Sequence, residues 1–186
     1  MFNLPNLLTM LRVLLIPLLI LVFYLPWEWR YLASGAIFGV AALTDLLDGY
    51  LARKLGMETA FGAFLDPVAD KLIVAVALVL LTEQSASSVL AIPAMVIVGR
   101  EIVVSALREW MAEVGSRASV AVSYIGKVKT AVQMISIIVL LTFNPALYPV
   151  FHMIGLVLLY VAAVLTLWSM LAYLKIAWPE LTRGTE

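Results

Sequence analysis

The chain has 186 residues, 64% of them hydrophobic and 13% charged, with a formal net charge of zero. A soluble domain carries about 25% charged residues, so the composition excludes an ordinary water-soluble globule, and the balanced charge offers no footprint for nucleic acid. With no cysteine and a single histidine, His152, disulfides, thiolate zinc centres and histidine-rich metal sites are excluded too.

Residues 1–186 read as a single membrane domain, all-α, with six transmembrane helices. The N-terminus MFNLPNLLTMLR lacks a positive n-region, and the apolar run after it is too long for a signal h-region. Pro5 and Asn6 suggest a short interfacial segment before a first span from about Leu7 to Leu25, long enough to cross hydrocarbon about 30 Å thick. Pro17 is expected to kink it. Asn6, Thr9 and Arg12 share about one third of its circumference. Tyr24, Trp27, Trp29 and Tyr31 form an aromatic belt at a membrane surface.

The second span, about Tyr31 to Leu55, ends in the stretch from Thr44 to Lys71, which holds Asp45, Asp48, Asp66 and Asp70. Ionisable residues at the edge of apolar runs are costly and mark function. At about 100° per residue, Asp45 and Asp48 share a helix face with Gly49 and Ala52, whose small side chains admit a bulky ligand, while Arg53 brings a fork of donors suited to phosphate. Asp66 and Asp70 share a face of the next helix. Carboxylates facing one another repel, and divalent cations with all-oxygen ligands, Mg²⁺ or Mn²⁺, remove the repulsion. Two such ions can clamp an in-line phosphoryl displacement. The bland alternative is four acids capping helix ends in a polar loop.

Asp45, Asp48, Gly49, Ala52, Arg53, Gly62, Asp66 and Asp70 fit D-x2-D-G-x2-A-R-x8-G-x3-D-x3-D without a departure. This pattern resembles the signature of the CDP-alcohol phosphotransferases, integral membrane enzymes of phospholipid synthesis. From Asn6 to about Leu174 the chain resembles their bacterial phosphatidylglycerophosphate synthase branch. The resemblance implies that Asp45, Asp48 and Asp66 hold two metal ions. Asp70 would be the general base and also touch a metal. The CDP moiety would contact Asp48, Gly49, Ala52, Arg53 and Gly62, with Asn6, Thr9 and Arg12 as secondary contacts. Membrane-edge anchoring, with Arg12 snorkelling, is the competing reading of that N-terminal face.

The loop Gly56 to Gly62 is short, and Pro67 either opens the third helix after an Asp66 cap or bends it. The third span is expected to end near Leu81, with Thr82 to Ser88 as a turn. The fourth runs from about Val89 to Met111, followed by a loop from Ala112 to Ser119. The fifth starts near Val120 and ends near Phe143, and Asn144, Pro145 and Pro149 make the next turn. The sixth runs from about Phe151 to Ile176 before a polar tail.

Six spans put both termini on one side, together with Arg53, Lys54, Lys71, Arg108, Arg117, Lys175 and Arg183, against Arg30 alone opposite. Positive charge gathers on the cytoplasmic side. The termini and the active-site end of the bundle are therefore expected to face the cytoplasm from a bacterial inner membrane. His152 falls near the other surface as a structural residue.

Arg100, Arg108, Lys127 and Lys129, with Thr130, form a second basic constellation in the fourth and fifth spans. One reading is charge that snorkels to lipid phosphates. The other is a pocket for a phosphate-bearing acceptor, because Arg100 lies deep in its span, where an arginine needs an anionic partner; Glu101 beside it is expected to point elsewhere. The runs GREIVVSALREW and GKVKT resemble the synthase branch, which implies CDP-diacylglycerol as donor, sn-glycerol 3-phosphate as acceptor and a homodimer among membrane lipids. Serine or inositol phosphate are rival acceptors. A cation transporter would place acids at the midplane in broken helices, and a prenyl diphosphate enzyme would show adjacent Asp-Asp pairs, absent here.

Overall fold

The computed structural model describes residues 4–55, 59–113 and 124–182. The described residues form six helices: α1 Leu4–Tyr24, α2 Arg30–Leu55, α3 Ala60–Ser85, α4 Ser88–Glu113, α5 Tyr124–Thr142 and α6 Pro149–Thr182. The first helix packs on α2 and α3, α5 packs on α2 and α6, and α4 packs on α3 and α6. Leu19, Phe38, Leu78, Ile97, Ile137 and Leu159, one from each helix, meet in a single buried cluster.

The outside is apolar as well. Leu14, Leu21, Leu46, Val79, Met95, Ile102 and Trp168 are all exposed. Exposed apolar surface on this scale demands an apolar surrounding, and helices, which satisfy their own backbone, meet the bilayer's terms. Four helices are long and apolar enough to cross a membrane, over Asn6–Tyr24, Arg30–Leu47, Ser88–Glu113 and Pro149–Lys175, and Val128–Thr142 is a shorter apolar segment. The α3 helix, which carries Asp66, Asp70 and Lys71, does not join them. Trp27 and Trp29 are exposed in the α1–α2 connection, as an interfacial belt requires.

Several boundaries differ from the sequence expectation. No interfacial segment separates Asn6 from the first helix, which is already under way at Leu4. The third helix starts at Ala60, so Asp66 is not its cap and Pro67 lies inside it. The cap is Thr59, whose hydroxyl accepts the Gly62 N–H at 3.0 Å. The turn expected over Thr82 to Ser88 shrinks to Ala86 and Ser87. Two of its polar residues find partners with the helix continued: Thr82 donates to the Leu78 carbonyl of the same helix at 2.7 Å, and Gln84 donates to the Tyr31 hydroxyl of α2 at 2.7 Å. Ala86 closes α3 in the left-handed region, φ 44°, giving its N–H to the carbonyls of Thr82 and Glu83. Pro149 opens α6 instead of sitting in the turn, where its missing N–H costs nothing. The sixth helix runs on to Thr182 through the expected tail. Residues 114–123, with Arg117 and the start expected for the fifth span, lie outside the described residues.

Candidate active site

Arg12 leaves α1 about 12 Å from its first residue, at 1.5 Å per residue, and its side chain is 1% exposed. It does not snorkel. Its Nη1 donates to Asp45 Oδ1 on α2 at 3.0 Å. Its Nη2 lies 3.6 Å from Asp66 Oδ1 on α3, and it also pairs closely with Asp70 one turn further along. The Thr9 hydroxyl donates to the same Asp66 oxygen. A guanidinium buried in an apolar bundle is tolerated only when paired, and here three motif carboxylates provide the pairing. One polar node thus ties α1, α2 and α3 together.

A second contact sits above it, towards the α2–α3 connection. Thr59 donates its hydroxyl to Asn6 Oδ1 at 3.0 Å, and Asn6 is buried. A Cβ on Gly62 would meet that Asn6 oxygen at 2.6 Å and Thr59 Oγ1 at 3.2 Å. Glycine is needed at this position because α1 approaches the first turn of α3 closely.

Asp48, Gly49, Ala52 and Arg53 lie on α2 and Lys127 on α5, but their side chains fall outside the described residues. Among the described residues no three acids are placed to share one metal ion. The donor set nevertheless fits a hard cation. Asp45, Asp66 and Asp70 offer only carboxylate oxygen, and they already converge on a positive charge.

Two members of the basic constellation, Arg100 and Lys129, meet around Glu101, which was expected to point elsewhere. Arg100 Nη1 and Lys129 Nζ each lie 3.0 Å from Glu101 Oε1. Neighbouring Cβ atoms diverge on a helix, but the long arginine stem folds back to its neighbour's carboxylate. Arg100 is buried and also donates to Ser169 Oγ on α6 at 2.8 Å. Arg108 is exposed. Its Nη2 lies 2.5 Å from the Tyr173 hydroxyl, and its guanidinium stands 4.9 Å from the Tyr173 ring centroid. Thr130 is exposed and donates to the Gly126 carbonyl at 3.0 Å.

Two of the motif acids share a space with Lys71, Glu101 and Thr130. A cavity of about 210 Å³ is lined by Asp45, Asp70, Lys71, Glu101, Thr130 and Gln133, with Pro67, Val74 and Met134. Lys71 donates to the Ser105 hydroxyl on α4. A larger cavity, about 640 Å³, lies between α2 and α5 against Gly39, Ala42, Leu43, Leu46, Ala131, Ile135 and Ile138, and meets the first at Asp45, Thr130 and Met134. Lys71, Glu101 and Gln133 line the smaller cavity although none of them was expected as a site residue. Gln133 and Lys129 are four apart, one helical turn, and that spacing is the signal that could have found Gln133. His152 lies in the first turn of α6.

A family model described as CDP-alcohol phosphatidyltransferase matches residues 2–168. Among curated proteins, a CDP-diacylglycerol–glycerol-3-phosphate 3-phosphatidyltransferase of Pseudomonas fluorescens is 57% identical over 180 residues, covering 96% of this chain and 92% of that protein. Proteins of the same name from Salmonella choleraesuis (strain SC-B67) and Shigella flexneri serotype 5b (strain 8401) are each 56% identical. They cover 95% of both chains over 176 residues and 97% of both chains over 180 residues, respectively.

Proposed function

The chain belongs to the CDP-alcohol phosphatidyltransferase family, and on that premise we infer that it transfers the phosphatidyl group of CDP-diacylglycerol to sn-glycerol 3-phosphate, giving phosphatidylglycerophosphate and CMP. The observation that carries this reading is the shared cavity. It is lined by the motif carboxylates Asp45 and Asp70 together with Lys71 and Glu101, and an apolar chamber adjoins it at Asp45. A phosphorylated alcohol and a two-tailed lipid need those surroundings at the same time.

In this reading Asp45, Asp48, Asp66 and Asp70 hold two divalent cations, Mg²⁺ or Mn²⁺. When bound, these supply Lewis-acid stabilisation of the charge that develops on phosphate oxygens. Arg12 already marks the place where the acids accept positive charge. Arg53 and the small residues Gly49, Ala52 and Gly62 seat the CDP moiety, with Asn6, Thr9 and Arg12 behind them. Asp70 accepts the proton of the acceptor's terminal hydroxyl. The alkoxide then attacks the lipid-proximal phosphorus in line, the bond to the CMP oxygen breaks, and CMP leaves. Arg100, Arg108, Lys127 and Lys129, with Thr130, supply the positive field that holds the acceptor phosphate away from the acids. Glu101 keeps Arg100 and Lys129 in position. The acyl chains lie against Leu43, Leu46 and Ile135 in the larger cavity.

Residues 1–186 form one domain with six spans in a bacterial inner membrane, both termini and the active site facing the cytoplasm, and the protein works as a homodimer. The distribution of Lys and Arg supports that orientation. The deciding assay follows CMP release by purified protein given CDP-diacylglycerol, Mg²⁺ and a panel of alcohols. Glycerol 3-phosphate is expected to be turned over well ahead of serine and inositol phosphate. Preference for either of those would reassign the acceptor, and no CMP from any alcohol would remove the reading.

A further inference from the structure

Gln133 is 4% exposed on α5 and lines the cavity that also holds Asp45 and Asp70. Its side-chain Oε1 is fully buried and has no hydrogen-bond partner among the described residues. A buried carbonyl oxygen left without a donor costs about 1–3 kcal/mol, so an unsatisfied acceptor on a side chain that lines a ligand cavity implies a donor that arrives with the ligand.

The neighbours do not supply one. The Thr130 hydroxyl, one residue past Lys129, gives its hydrogen to Gly126. Lys71 is engaged with Ser105, and Lys129 with Glu101. The ligand's own chemistry narrows the choice, given the acceptor assigned above. The phosphate of glycerol 3-phosphate is an acceptor and would be repelled by a carbonyl oxygen. The attacking hydroxyl commits its proton to Asp70. Only the middle hydroxyl, which does not react, has a hydrogen to give. An amide also suits this place electrically, since it offers an acceptor without adding a negative charge beside Asp70 and Glu101.

We propose that Gln133 is a specificity-determining residue for the acceptor, its Oε1 accepting a hydrogen bond from the non-reacting middle hydroxyl of glycerol 3-phosphate. The inference rests on the acceptor reading of the preceding subsection. It explains how the site can prefer a glycerol skeleton to a simpler phosphorylated alcohol with the same reactive end.

The test compares glycerol 3-phosphate with 3-hydroxypropyl phosphate, which keeps the phosphate and the terminal hydroxyl and lacks only the middle one. An unpaired buried acceptor corresponds to about a 5- to 150-fold penalty. The wild-type protein is therefore expected to favour glycerol 3-phosphate by a kcat/KM ratio in that range. Gln133→Leu should bring the ratio close to one, chiefly by raising the KM for glycerol 3-phosphate. A merely structural glutamine would lower both substrates alike and leave the ratio intact, and that result overturns the proposal. So does a wild-type ratio near one. If Gln133→Leu does not fold, Gln133→Met carries the same comparison. Failure of the underlying acceptor reading looks different: the wild-type protein would release no CMP with either compound.

Discussion

Arg12 on α1 and Asp45 on α2 form an ion pair at 3.0 Å with the arginine side chain 1% exposed, and the same guanidinium reaches Asp66 and Asp70 on α3. The first helix therefore contributes directly to the carboxylate cluster. Removing one partner of a buried pair costs about 3–5 kcal/mol because the other charge is stranded. Here the acids are about one-third exposed, which places the cost at or below the low end. Arg12→Ala is expected to lower the thermal midpoint in detergent most strongly in EDTA, with much of the loss recovered in Mg²⁺. An unchanged midpoint in EDTA would show that the arginine does not neutralise the cluster.

The acids should divide their labour. Activity is expected to vanish in EDTA and return with Mg²⁺ or Mn²⁺. Asp70→Asn should keep most CDP-diacylglycerol binding and lose turnover by about 10²–10⁴, the usual worth of a general base. Asp45→Asn should weaken metal and nucleotide binding together. Mn²⁺ titration followed by electron paramagnetic resonance, alongside CMP release, separates the two. Near-normal turnover in Asp70→Asn would require another base.

Gly62→Ala puts a methyl group 2.6 Å from Asn6 Oδ1. Overpacking of this kind costs about 1–3 kcal/mol. The variant is expected to unfold at lower temperature and to lose activity. If the clash with Asn6 is the cause, Asn6→Gly combined with Gly62→Ala should be more stable than the sum of the two single changes predicts, as measured by a double-mutant cycle. Simple additivity would point to a direct role of Gly62 with the nucleotide instead.

Acceptor and lipid should be separable on the two cavities. Charge-assisted hydrogen bonds contribute about 1.5–3 kcal/mol. Lys129→Ala is therefore expected to raise the KM for glycerol 3-phosphate by roughly 10- to 150-fold, with little change for CDP-diacylglycerol. Ala131→Phe, which fills the chamber between α2 and α5, should do the reverse. Arg53→Ala should also fall on the CDP side. Steady-state kinetics against each substrate, on variants checked for folding, decides the matter. Equal effects on both KM values for Lys129→Ala would return that lysine to a structural role, as the partner of Glu101.

Composition and local spacing were enough for the solvent and the helical class. Apolar runs of about 20 residues admit little but membrane helices, and acids at helix-phased spacing next to glycine and arginine suit divalent cations and phosphate, a reading that the family pattern made specific. These signals are local, written in composition and in the spacing of residues on one helix. Which groups from different helices meet follows from how the helices pack. Arg12 could be read equally well as a membrane-edge anchor until α2 and α3 closed around it. Glu101 seemed to point away from Arg100 because adjacent helical residues diverge, yet it became the carboxylate shared by Arg100 and Lys129 once α5 packed alongside. Gln133 looked like one more polar residue near a helix start until its neighbours across the cavity were placed. The polar run after Leu81 suggested a turn, but Thr82 and Gln84 found partners in Leu78 and Tyr31 and stayed helical. Arg12 with Asp45, Glu101 with Lys129 and Gln84 with Tyr31 each pair a polar or charged group with a partner on another helix, which spacing along one helix does not encode.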